Sequence, residues 1–263
     1  MSKTHRHVSI DYYSYHSGIS SWNTFFKVIF SVGALITVIA ANSLSVSMMT
    51  LCYMILLSLF IARIEARDYY RLMLIPAAFI LLGGITILVQ FGQETTTLFD
   101  IRFLWTRLYI TSASVDLALN TIIKAFAAVS ALYVMTLSTP MGEIISVFRK
   151  IRVPEIILEL MYLIYRYIFI LSEIKQQQKD ASGSRLGYCD LRTSFRTFSS
   201  EIATLFVLSM KKADLYYDAM EARGYEGSLR FWEEKRKLTV KQLLFAGGYI
   251  TLLIACIWKE YCV

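Results

Sequence analysis

The sequence predicts an all-α integral membrane protein with about five transmembrane helices and a cytoplasmic-face domain of amphipathic helices. Three observations lead there. Of the 263 residues 56% are hydrophobic, and mean hydropathy is +0.50, above the roughly 45–50% apolar content of soluble domains. The apolar residues gather in blocks, several of which reach the ~20 residues that a helix needs to cross the hydrocarbon layer. About a hundred residues between the last two blocks carry a basic, helical pattern of their own.

The first 24 residues are polar and aromatic and lack the apolar core of a cleavable signal, so the first span is expected to stay in the mature chain. Spans are expected at 25–41 (containing Lys27), 46–62, 72–91, 114–138 (containing Asp116 and Lys124) and 243–258. The four cysteines, Cys52, Cys189, Cys256 and Cys262, form no CxxC and read as small packing residues. Charge sets the orientation, because short loops rich in Lys and Arg stay inside. Residues 141–237 hold sixteen of the 27 basic residues, and the 63–71 loop adds Arg63, Arg67 and Arg71. A cytoplasmic N-terminus and an extracytoplasmic C-terminus then leave 22 basic residues inside and three outside. The expected location is the cytoplasmic membrane.

The chain is thus expected to divide into a tail and four-span bundle (1–140), a cytoplasmic-face domain (141–237) and a last transmembrane helix (238–263). In the middle part, 141–150 forms a short amphipathic helix after Pro140. Pro154 then starts a long helix reaching about residue 178, with Glu159, Tyr162 and Arg166 on one face. That helix is apolar enough to lie in the interface or dip into the bilayer, and too charged to count as a sixth span. A third helix is predicted from Ser200 to Ala222, capped by Ser199 or Ser200. Its Phe206, Met210, Ala213, Tyr217 and Met220 make an apolar stripe, opposite Lys211, Asp214, Asp218 and Glu221. Such a helix lies on a membrane surface or against partner helices.

Two local sequences mark helix ends. Ala222-Arg223-Gly224 closes the third helix, and Ser184-Arg185-Leu186-Gly187 precedes it by 38 residues. Each places an Arg in a last turn, where it complements the negative end of the helix dipole, before a Gly that can take the left-handed position. By themselves these read equally as plain helix stops.

From RKIRVPEIILELMYLIYRYIFILSE to YDAMEARGYEG, and in the lead SIDYYSYHSGISSWN, the sequence resembles the T component of energy-coupling-factor transporters, cobalt-type (CbiQ-like) branch. The likeness covers most of the chain and is strongest over 138–227. In the first motif Leu186 separates Arg185 from Gly187 and Ser184 replaces Ala, a departure from the family's Ala-Arg-Gly. The resemblance implies a non-enzymatic subunit that works with two ABC ATPase subunits and a substrate-capturing, metal-binding S component. ATP would be bound by the ATPases, and no cofactor by this chain. Ser184, Arg185, Gly187, Ala222, Arg223 and Gly224 would then be the ATPase-coupling residues, and Co²⁺ or Ni²⁺ the cargo.

Other candidates are weaker. His5, His7 and His16 precede the first span, and no span contains a histidine, so a metal route in this chain alone is not expected. Asp116, Asn120 and Lys124 lie at i, i+4 and i+8 on the fourth span. They read either as a contact face for the S component or as internal pairing between neighbouring helices. Gly83-Gly84 and Gly247-Gly248 read as packing notches, and Pro76 as a mild kink. No GxxxxGK[ST], GxSxG or HExxH occurs, and nothing suggests a nucleic-acid partner. Two rival readings remain: a membrane-embedded enzyme, or a stand-alone permease, using Asp116, Lys124 and Arg166. The orientation is directly testable. A reporter fused after Gly227 should read cytoplasmic and one after Val263 extracytoplasmic; a cytoplasmic Val263 fusion would overturn the assignment.

Overall fold

A computed structural model describes residues 13–15, 17–88, 90–91, 99–103, 106–227 and 236–262. Its helices are α1 (Thr24–Ala41), α2 (Leu44–Leu56, continuing as a π-helical turn Leu57–Ile61), α3 (Ala66–Leu88), α4 (Ser112–Ser138), α5 (Met141–Lys150), α6 (Glu155–Ser184), α7 (Leu191–Glu221) and α8 (Val240–Cys262). Between α3 and α4, in the connection read from sequence as a loop, β1 (Gln90–Phe91), β2 (Phe99–Phe103) and β3 (Thr106–Ile110) form a small antiparallel sheet in the order β1-β3-β2. The spans themselves are all helical. Among the described residues, five helices are long and apolar enough to cross a membrane: α1, α2 with its π-turn, α3, α4 and α8. The long helix α6 is not among them.

The described residues fall into two compact units: Met1–Ile144 with Glu234–Val263, and Ile145–Glu233. In the first, the bundle unit, α1, α2 and α3 all pack on α4. Helices in lipid gain little from apolar burial against one another, so close packing and polar bonds must hold them together. Both are present. Val38, Val46, Ala118, Ala127 and Ala131 are fully buried. At Gly84, a Cβ would run into the Ile122 side chain on α4, so the glycine lets that side chain seat against α3. Tyr249 of α8 meets Thr37 of α1 at 3.0 Å and Thr50 of α2 at 3.3 Å through its hydroxyl. Its ring also packs on Phe30 and Tyr53. Tyr53 in turn donates to the Phe245 carbonyl at 2.7 Å.

The ends of α1 are explained by two asparagines. Asn23 caps the start by accepting from the Phe26 amide, and Asn42 ends the helix in the left-handed conformation at φ 47°. Helix α3 presents Leu74, Ile75, Phe79, Leu82 and Ile85 outward, as a helix on the lipid-facing side of a bundle does.

Pro76 does more than kink α3. Proline has no amide to donate to the carbonyl four residues back, here that of Leu72. The Tyr133 hydroxyl of α4 donates to that carbonyl at 2.8 Å. The defect in one helix thereby becomes its bond to the next. Tyr133→Phe should therefore cost about 1–3 kcal/mol, read from unfolding in detergent. In a Pro76→Ala background, where the amide returns, the same change should cost much less; equal costs in the two backgrounds would refute the account.

Candidate functional site

The second unit holds the end of α5 and a hairpin of α6 and α7. Helix α6 starts at Glu155, just after Pro154, whose fixed φ suits the entry to a helix. Helix α7 starts at Leu191, nine residues before the predicted Ser200. Its cap is Asp190, which accepts from the Thr193 amide. The Thr193 hydroxyl and then the Cys189 thiol hold the Asp190 carboxyl below the usual carboxylate range. Ser199, expected to cap, instead donates to the Phe195 carbonyl four residues back, a bond a serine can make inside a helix.

Contacts run antiparallel along the whole hairpin. At one end Tyr225 donates to Glu159 at 3.0 Å, which raises the tyrosine's pKa. In the middle the rings of Tyr167 and Tyr216 lie 5.3 Å apart, with the Arg166 guanidinium 6.0 Å over Tyr216. At the other end the Thr197 hydroxyl donates to the Gly187 carbonyl at 2.9 Å. A Cβ on Gly187 would lie 3.0 Å from the Thr197 Oγ1, so glycine permits that approach. Nearby, Tyr188 donates to Glu201, whose carboxylate pushes the phenol's pKa upward.

Both helix ends carry the same backbone device. After α7, the Tyr225 amide bonds to the Met220 carbonyl at 3.1 Å and the Gly224 amide to the Glu221 carbonyl at 2.9 Å. After α6, the Gly187 amide bonds to the Ser182 carbonyl at 2.9 Å and the Leu186 amide to the Gly183 carbonyl at 3.1 Å. These are the paired bonds of a Schellman cap, which needs a left-handed residue at its centre. Gly224 fills that place at φ 81° and Leu186 at φ 59°. Arg223 and Arg185 thus hold equivalent positions. Leu186 is a substitution for the expected glycine rather than an insertion before Gly187. Both arginines are exposed. Arg185 also lines a cleft of about 510 Å³ with Gln178, Arg196, Thr197 and Glu201. Because the helices run antiparallel and α6 has 30 residues, the two arginines sit at opposite ends of the hairpin, roughly 45 Å apart at 1.5 Å per residue.

Of the predicted stripe of α7, Ala213 lines the contact with α6, but most of its large side chains do not face that helix. Ser209, Lys212 and Tyr216 line the contact with α6, while Phe206, Met210 and Tyr217 are exposed at 66%, 55% and 51%. The stripe extends back through Ile202, Phe198 and Phe195 to Leu191, all exposed. It is an unpartnered apolar face along the full helix.

In the bundle, the polar positions of α4 are not brought together as one site. Lys124 donates to the Asn42 side chain at 3.0 Å and Asn120 to the Asn42 carbonyl at 3.4 Å. Together they satisfy the end of α1, where a cation also complements the dipole. Asp116 is exposed. The histidines considered for metal, His5, His7 and His16, lie outside the described residues. Among the described residues no group of three or more His, Cys, Asp or Glu could hold a metal ion. Sequence reasoning missed Asp190, Asn42 and Tyr225, each of which acts through a partner distant in sequence or through a cap masked by a later one.

Five apolar helices of spanning length, with a separate arginine-ended helical hairpin, define a multi-pass membrane protein. The family model described as cobalt transport protein, CbiQ, matches residues 16–233, and the chain belongs to that family. It is 26% identical over 97% of its length to an uncharacterized protein of Methanocaldococcus jannaschii, covering 96% of that protein. It is 27% identical over 65% of its length to a cobalt transport protein CbiQ of Salmonella typhimurium, covering 76% of it. A protein of Methanocorpusculum labreanum described as a fused cobalt transport protein, CbiMQ, is 28% identical over 92% of this chain, which spans 40% of that longer protein.

The cap geometry makes a direct prediction. A leucine held at positive φ costs roughly 1–2 kcal/mol against a relaxed conformation. Leu186→Gly should relieve most of that cost and raise the thermal midpoint by about 2–4 °C. Gly224→Ala should lower it by a similar amount, since alanine is strained at φ 81°. A falling midpoint for Leu186→Gly would show that the Leu186 side chain holds the hairpin by contacts that outweigh the strain.

Proposed function

We propose that this chain is the transmembrane coupling subunit of an energy-coupling-factor importer, passing movements of two ABC ATPase subunits to a separate substrate-capturing membrane protein. The observation that carries the reading is the pair of equivalent Arg-bearing caps at opposite ends of one hairpin. Two separated anchors suit two ATPase subunits. A planar guanidinium forks onto carboxylate or carbonyl acceptors in a groove better than an ammonium does. Ser184, Arg185 and Gly187 form one contact, and Ala222, Arg223 and Gly224 the other. The apolar face of α7 supports a second docking surface, toward the substrate-capturing protein. The fused relative, whose name joins a second cobalt transport component to a chain like this one, supports a membrane partner of that kind. Cargo would be Co²⁺, or Ni²⁺ of similar coordination chemistry, with its ligands on the partner. The hairpin would face the cytoplasm, with the N-terminus inside and the C-terminus outside, and ATP would be hydrolysed on the partners.

A membrane enzyme or stand-alone permease built on Asp116, Lys124 and Arg166 is less well supported. Lys124 is engaged at the end of α1 and Arg166 over Tyr216. Each is accounted for by structure around it.

Arg223→Glu should abolish Co²⁺ uptake and release the ATPases while leaving the bundle folded. It places an anion at a negative helix end and leaves the groove's acceptors unpaired, a loss of about 2–5 kcal/mol in such interfaces. Arg185→Glu should act in the same direction, the double variant more strongly, and Lys211→Glu on the polar face only slightly. Normal uptake and a full complement of co-purified ATPase in the double variant would remove the reading.

A further inference from the structure

The chain leaves the bundle unit after Ile144 and returns to it at Glu234. The residues bracketing those two passages meet on one carboxylate inside the bundle unit. Glu143, in the first turn of α5, accepts from the Lys27 ammonium at 3.1 Å and the Thr24 hydroxyl at 2.7 Å through Oε2. Its Oε1 lies 3.1 Å from Nη1 of Arg236. Lys27 is only 3% exposed and also donates to the carbonyl of Ser138, the last residue of α4, at 2.8 Å. Asn23, already the cap of α1, donates its side-chain amide to the Arg236 carbonyl. One acidic group therefore joins the starts of α1 and α5, the end of α4 and the segment leading into α8.

Lysine is a costly residue to bury. Stability alone would be served as well by an apolar residue at position 27, so the charges here fix geometry rather than simply hold the bundle together. Fixed geometry is what transmission requires. The chain crosses between the two units twice, and slack at either passage would absorb part of a movement of the hairpin unit. We propose that Glu143 is a positioning residue that clamps both passages to the start of α1, so that hairpin movement is delivered to the membrane helices. The proposal rests on the coupling role proposed above.

The test uses the complex purified from membranes with its co-purifying ATPases and reconstituted into liposomes. Three quantities are measured: Co²⁺ uptake per ATP hydrolysed, the amount of bound ATPase, and the thermal midpoint. Arg236→Gln leaves the buried Lys27–Glu143 pair intact. It should keep the midpoint and the ATPase complement while uptake per ATP falls about 5- to 10-fold, within the range of known couplings between sites. Arg236→Lys, which keeps the charge, should restore most of it. Glu143→Gln should lose more, and Lys27→Met with Glu143→Gln should recover the midpoint without recovering uptake per ATP, because the tether to Arg236 is still missing. Full uptake per ATP in Arg236→Gln and in the double variant would overturn the clamp. An Arg223→Glu control separates the two levels. If it releases the ATPases while the clamp variants stay fully coupled, only the clamp fails. If it leaves ATPase binding unchanged, the coupling reading fails and the clamp with it.

Discussion

A polar group placed in hydrocarbon has no water to turn to, and the bundle unit is organised by that demand. The carbonyl freed by Pro76 is met by Tyr133. The end of α1 is met by Asn120 and Lys124 from α4. The last carbonyl of α4 is met by Lys27. In each case the group that one helix cannot satisfy becomes the point at which a second helix attaches. Since apolar surface gains little by leaving lipid for protein, these bonds, with small-residue notches such as Gly84, decide which helices are neighbours and in what rotation.

The hairpin unit obeys a different economy. Helix α7 has no buried residue along its 31 positions, so its shape cannot come from a core of its own. It comes from caps, from a line of cross-hairpin contacts between Glu159–Tyr225 and Gly187–Thr197, and from helix length. The result is a stiff element that leaves most of its apolar surface uncovered. Such faces on a protein mark interaction sites rather than idle surface.

The spans and the family were legible in the sequence because their signals are local and additive: block length, charge bias and the arginine-ended motifs. Five spans fall within a few residues of where hydropathy places them. The start of α7 was not legible. Ser199-Ser200 offered a plausible cap before an amphipathic run, and that nearer cap hid Asp190. The apolar spacing does continue backward through Ile202, Phe198, Phe195 and Leu191, but the plausible cap inside the run masked that signal. The small sheet before α4 was missed because short edge strands carry little hydropathy signal. The stripe of α7 was read correctly as a stripe, but periodicity alone does not tell which face meets α6. Lys124 shows the general limit. Its spacing with Asp116 and Asn120 marks one helix face, yet its partner, Asn42, lies 82 residues away and is a helix cap recognisable only by its positive φ.

The two helix ends carry the comparison further. Hydrogen bonding makes them the same object, with arginine at the cap and a left-handed residue after it, yet one end uses glycine and the other leucine. Glycine at φ 81° is nearly free of strain, and Leu186 at φ 59° is not. Helix termination would be served better by glycine at both ends. The leucine side chain is 73% exposed, so no packing inside the chain repays the strain. What the sequence retains at this position is an apolar side chain projected beside Arg185, at the end whose cleft also holds Arg196 and Glu201. The backbone therefore presents its arginines equivalently at the two ends, while the surfaces around them differ. A partner groove matched to Arg223 and an open glycine would not be matched in the same way to Arg185 and a leucine.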